Sequence, residues 1–175
     1  MIKYRLVFGL LFFVNLHVFS QNLDETKKNI IKSIENHEEE IIKISDKIWE
    51  LAETAFNEYE SSKLLSDYAE ANGFSLERGV AGMPTAFIAT YGQGRPVISV
   101  LGEFDALPGL SQDTTPTKKP LTEGGNGHGC GHNLFGAASL ASAIAIKEQI
   151  ENGDLKGTIK SLKPSASQQS DIFIE

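Results

Sequence analysis

The run VISVL at 97–101 is nearly continuous apolar sequence, and it limits this chain more than any other stretch. A strand without polar alternation has no face for water, so it predicts a central strand buried on both sides. The cover must come from helices, and the flanking sequence supplies them. From Leu23 to about Phe56, Ile30, Ile31, Ile34, Ile41, Ile42, Ile44, Ile48, Trp49 and Leu51 recur among charged residues. Their three- and four-residue spacing is that of an amphipathic helix. His37 falls in the charged run HEEE and reads as a surface residue. A second helix, 58–73, ends at Gly73, a residue that takes the left-handed conformation of helix ends without strain. Strand-like runs follow at 74–79, 85–92 and 96–104, the last two joined by GQGRP (92–96), which reads as a hairpin or tight connection. A third helix, 134–150, opens with GAASLASA (136–143), suited to close packing on a sheet, and 157–162 gives a further strand. Helices alternating with strands indicate an α/β domain.

With 175 residues and 41% hydrophobic content, the chain can bury one core, and no second full domain is expected. A net charge of -7 argues against a nucleic-acid partner, which recruits basic patches. At the amino terminus, Lys3 and Arg5 precede the short apolar segment Leu6 to Val14, and Ser20 offers a small residue before a cut ahead of Gln21. The apolar run is shorter than the ~20 residues of a membrane span. It reads as a signal peptide over 1–20, with an uncleaved membrane anchor as the alternative, and places the mature chain in the periplasm or outside the cell. His17 lies in that leader and carries no chemistry.

Between the apolar strand and the third helix lies a long segment rich in Pro, Gly and Thr, 105–127, without periodicity. Loops of this length in compact domains are functional or disordered. This one ends in GGNGHGCGHNLFGAAS (124–139), which holds the only cysteine and two of the four histidines. Thiolate and imidazole are borderline-soft donors, and single glycines between them let the backbone turn both toward one ion. A helix N-terminus just downstream favours the thiolate. Of His128, Cys130 and His132, one or two are expected to bind, with distant ligands completing the shell. A nucleophilic cysteine beside a histidine is the second reading and plain packing the third. The acidic pair Glu103 and Asp105 at the end of the apolar strand places a metal site ahead of both.

Three stretches carry a resemblance: ELAETAFNEYESS (50–62), GMPTAFIATYGQGRPVISVLGEFDALPGL (82–110) and the glycine-rich motif 124–139. From about Trp49 to Lys160 the chain resembles the metal-dependent aminoacylase and glutamate-carboxypeptidase-like hydrolases. It is most similar to their amidohydrolase branch, in the aminobenzoyl-glutamate utilisation subgroup. The resemblance implies a zinc-peptidase-like catalytic domain, with helices packed on a mixed sheet. Cys130 and His132 match ligands of a two-metal centre, zinc or manganese, and Asp105 matches an acidic residue that orients a ligand from behind; Glu103 receives no role. Asn133 and Phe135 stand where the broader branch has an aspartate and a histidine, which fits the aminobenzoyl-glutamate subgroup. The implied substrates are N-acyl or p-aminobenzoyl amino acids, cleaved at the amide bond, by a protein that acts as a homo- or hetero-oligomer.

The same resemblance leads one to expect adjacent glutamates, one of them the general base, after the strand that starts GTIK (157–160). The sequence instead continues SLKPSASQQSDIFIE (161–175), without a Glu-Glu pair. The expected organisation is therefore a leader (1–20), the N-terminal part of a catalytic domain (21–160) and a divergent tail (161–175), with the lid and dimerisation domain absent. The chain is then a truncated, inactive piece of a longer hydrolase. The alternative is a non-catalytic metal-binding or subunit-interaction fragment.

Overall fold

The computed structural model describes residues 2–164, and the side chains of residues 24–164. The expected leader lies in the first helix, where side chains are outside that description, and the tail is outside it from residue 165. Helix α1 spans Ile2–Leu51, α2 Tyr59–Ala71 and α3 His132–Glu151. The strands are β1 Ser75–Arg78, β2 Phe87–Gln93, β3 Val97–Leu101 and β4 Gly157–Lys163. They form one mixed sheet in the order β1-β2-β4-β3, with β1/β2 and β2/β4 antiparallel and β4/β3 parallel. Phe87 and Ala89 of β2 and Ile159 of β4 pack against Ile44 and Ile48 of α1, Leu65 of α2 and Leu140 and Ile144 of α3. The α/β class and the helices on a mixed sheet are as the sequence predicts.

Two expectations fail on register. Strand β3 is not a central strand but an edge, pairing only with β4 among the described residues, and Val97 and Ile98 are 49% and 55% exposed. Its apolar run records a preference for burial that the described residues do not meet. Nor do β2 and β3 form a hairpin, because β4 is inserted between them. The connection after Gly92 crosses the start of β4 instead, and Thr158 N donates to Pro96 O across it at 2.9 Å. Gly92 and Gly157 make that crossing possible. Both have positive φ, +89° and +122°, and a Cβ on either would lie 2.3 Å or 2.4 Å from a facing backbone oxygen.

α1 ends five residues before the predicted Phe56, because Ala52 turns into the left-handed region (φ 45°). The released segment is put to use. Glu53 accepts from Glu60 N at 3.0 Å and Ser61 N at 2.8 Å, so its carboxylate serves the free N–H groups that open α2. His37 is not a surface residue: half-buried, it bridges Tyr68 of α2 (2.7 Å) and Glu148 of α3 (3.0 Å), since this side of α1 faces both helices. α3 starts at His132, two residues ahead of prediction, with buried Gly136, Ala137, Leu140, Ala141, Ala143, Ile144 and Ala145 along it. Gly92→Ala should lower stability by about 2 kcal/mol through backbone strain and the clash with Gly157. Urea denaturation checks this, and an unchanged midpoint would show that the crossing relaxes.

Candidate metal centre

β3 ends at Leu101, and the chain then runs through Glu103, Phe104 and Asp105 beneath the start of α3. Phe104 is fully buried in the core, which turns the two flanking acidic residues together on either side of it. α3 can approach this strand end because residue 136 has no side chain: a Cβ there would lie 2.8 Å from Phe104 Cβ. One helical turn earlier stands His132. Its Nδ1 lies 2.9 Å from Asp105 Oδ1, and its Nε2 lies 3.1 Å from Glu103 Oε2. Among the described residues these three form a group whose donor atoms fall within 4.8 Å of one another.

The chemistry of the group follows from counting protons. A neutral imidazole carries a single N–H and cannot donate to two carboxylates at once. With Nδ1–H on Asp105, Nε2 presents a lone pair toward Glu103, so the contact calls for a proton, on His132 or on Glu103, or for a cation. A divalent cation meets that demand, with Asp105 fixing the tautomer and ring orientation from behind. Burial pushes the Glu103 carboxyl above the usual range; His132 opposes the shift and the charge of Asp105 adds to it. A carboxylate buried beside a second one, with one imidazole to balance both, fits a cation's donor set.

The structure brings Asp105 and His132 together and adds Glu103, which the sequence offers as half of an acidic pair but to which the family resemblance assigns no role. The signal was its placement two residues before Asp105, both on the strand end that faces α3. Cys130 lies outside the group. It is exposed, on the turn between Gly129 and Gly131 that leads into α3. His128 lies elsewhere again. Its Nε2 hydrogen-bonds Ile48 O at 3.0 Å, and burial lowers its pKa, so a neutral ring ties the loop to α1. Asn133 is buried and donates to Ser45 of α1 (3.2 Å to Oγ), a packing contact, while Phe135 is exposed.

The loop 102–131 is ordered by its own ladder. Leu107 and Gly127 exchange backbone hydrogen bonds at 3.0 Å, Ser111 N donates to Gly125 O at 2.8 Å, and Ala106 N donates to Glu53 O at 2.7 Å. The segment just after Asp105 is thereby tied to the turn that follows α1.

No family model matches the chain. It is 45% identical over 141 residues to one subunit of the p-aminobenzoyl-glutamate hydrolase of Escherichia coli (strain K12), covering 79% of this chain and 29% of that protein. It is 32% identical over 136 residues to thermostable carboxypeptidase 2 of Saccharolobus solfataricus, covering 77% of this chain and 32% of that one. Among solved structures it is similar to the Bacillus subtilis YXEP protein, a dinuclear metal binding peptidase from the M20 family. That match has a TM-score of 0.63 at 25% identity over 75% of this chain and 36% of the other. The chain thus spans about a third of the length of the curated relatives it matches.

The raised Glu103 pKa has a consequence for the metal-free chain. The folded state holds that proton more tightly than the unfolded state, so the contribution is complete below pH 4.5 and is lost as pH rises through the folded value. Glu103→Gln is neutral throughout and should remove this fall. Urea denaturation of both chains in chelator between pH 4 and 8 tests it; parallel curves would refute the effect.

Proposed function

We propose that this chain, similar to the metal-dependent aminoacylase and glutamate-carboxypeptidase-like hydrolases over most of its length, carries part of a divalent-cation centre for amide hydrolysis. The complete enzyme would cleave N-acyl or p-aminobenzoyl amino acids, as the name of the Escherichia coli relative supports. The observation that carries this reading is His132 held between Glu103 and Asp105. Asp105 keeps Nδ1 protonated, which leaves Nε2 and a Glu103 oxygen as donors. Cys130 joins them from its exposed turn as a thiolate, and its flanking glycines allow the movement. Imidazole and thiolate suit zinc, while the carboxylates also suit manganese. When bound, such an ion polarises the amide carbonyl and lowers the pKa of bound water; the two ions of the complete centre would be zinc or manganese.

A cavity of about 570 Å³ between the end of α1 and the loop has Trp49, Leu51, Leu110 and Leu121 on its apolar side and polar groups that include Glu50, Asp113 and His128. Its apolar side offers a seat for an acyl or aroyl group beside a polar wall. By itself the chain is proposed to be inactive. Glu103 is engaged with His132, and residues 161–175 contain no adjacent glutamates to take the proton of an attacking water. Assembly with a further chain accords with the relative's designation as a subunit.

Titration calorimetry with zinc and with manganese, alongside turnover of p-aminobenzoyl-glutamate, tests both parts. The chain should bind a cation and show no turnover; His132→Ala and Cys130→Ala should weaken binding strongly, and Asp105→Asn about 10–100-fold. Binding unchanged in Cys130→Ala would remove the thiolate from the ligand set, and no binding at all would remove the metal reading. Turnover that is lost in His132→Ala would show an active enzyme; binding without turnover leaves the non-catalytic reading in place.

We further propose export, on the arrangement of Lys3, Arg5 and the apolar segment Leu6 to Val14. Intact mass measurement of the exported protein should give a chain starting at Gln21, and a retained Met1 would reject it.

A further inference from the structure

Lys163 ends β4 with its side chain fully buried, the one lysine so placed among the described residues. Nζ donates to Gly136 O at 3.0 Å and to the Ser139 hydroxyl oxygen, both on α3. The Ser139 hydroxyl passes its own hydrogen to the same Gly136 carbonyl at 3.0 Å. The site is closed from the end of β3 by Gly102, where a Cβ would lie 2.7 Å from Nζ and 1.8 Å from Ser139 Oγ. From β2 the facing residue is Phe87, the cross-strand partner of Lys163.

A neutral amine has two N–H groups, and both are used here. Among the described residues, protonation adds a third donor with no acceptor to meet it, and a positive charge with no carboxylate hydrogen-bonded to it. Neither Glu103, just beyond Gly102, nor Lys160 on β4 acts on the amine, and α3 and β2 present the Gly136 carbonyl, the Ser139 hydroxyl and Phe87. We propose that Lys163 is a proton-controlled latch between β4 and α3, closed while its amine is neutral and released when the amine takes a proton.

Burial holds the Lys163 pKa down to about 7, against an ordinary 10.5. The folded state therefore binds fewer protons than the unfolded one between these values, so stability rises with pH across that window and is lowest and level below it. The sign is opposite to that of Glu103.

The test combines denaturation with NMR. Between pH 7 and 10 the folding equilibrium constant of the unaltered chain should rise by about 400-fold relative to Lys163→Met, which keeps the length and loses the charge. In the unaltered chain labelled at lysine Cε, one lysine should titrate near pH 7, and the amide signals of 136–140 should move with the same midpoint. Lysines that all titrate near 10, or the same pH dependence in both chains, would overturn the latch. If Lys163→Met does not fold, the lysine titration of the unaltered chain decides alone.

Discussion

The approach of α3 to the end of β3 is the constraint from which the candidate site follows. Gly136 lets the helix backbone settle against Phe104 and Glu103 O, where a Cβ would be 2.8 Å and 3.0 Å away. That contact fixes the height of the helix above the strand end, and with it the position of His132 one turn earlier. A methyl group at 136 would lift the helix and lengthen both carboxylate contacts together. A single close packing contact thus sets both distances from His132 to its carboxylates. The core on the other flank of the helix, Leu140 and Ile144 against Phe87 and Ile159, keeps the approach from relaxing.

The stretch ELAETAFNEYESS, part of the family resemblance, serves the site at one remove. Glu53 caps α2 with its carboxylate while its carbonyl accepts from Ala106 N, the residue after Asp105. Glu58, fully buried, accepts from Thr85 Oγ1 at 2.7 Å. Both glutamates hold backbone and neighbouring elements in place, which accounts for these two acidic residues of the segment. His128 adds to the same brace through Ile48 O.

The elements themselves were legible because their periods are local: the ends of α3, β2 and β4 differ from expectation by two residues or fewer. Strand order was not legible. GQGRP between two apolar runs has the look of a hairpin, and nothing within those residues announces that a strand some sixty positions later will enter between them. The edge position of β3 was hidden for the same reason, since an apolar run states a preference for cover and not its source. In the site, Asp105 and His132 were visible from motif and spacing. Glu103 was visible only as a neighbour, since its role depends on how α3 lies over the strand end. Lys163 fell within the tail 161–175, set apart because it departs from the family pattern, and its burial arises from Gly102 and Ser139, distant in sequence.

The outer edge of β3 bears on how the protein behaves in a crowded solution. Its N–H and C=O groups face no strand among the described residues, and Val97 and Ile98 stand exposed beside them. No lysine, proline or bulge interrupts Val97–Leu101, the devices by which strand edges are kept from recruiting one another. An extended segment of another polypeptide finds there a template with backbone partners and branched side chains already in place. Among the described residues, this five-residue border is where the sheet stands open to a further strand.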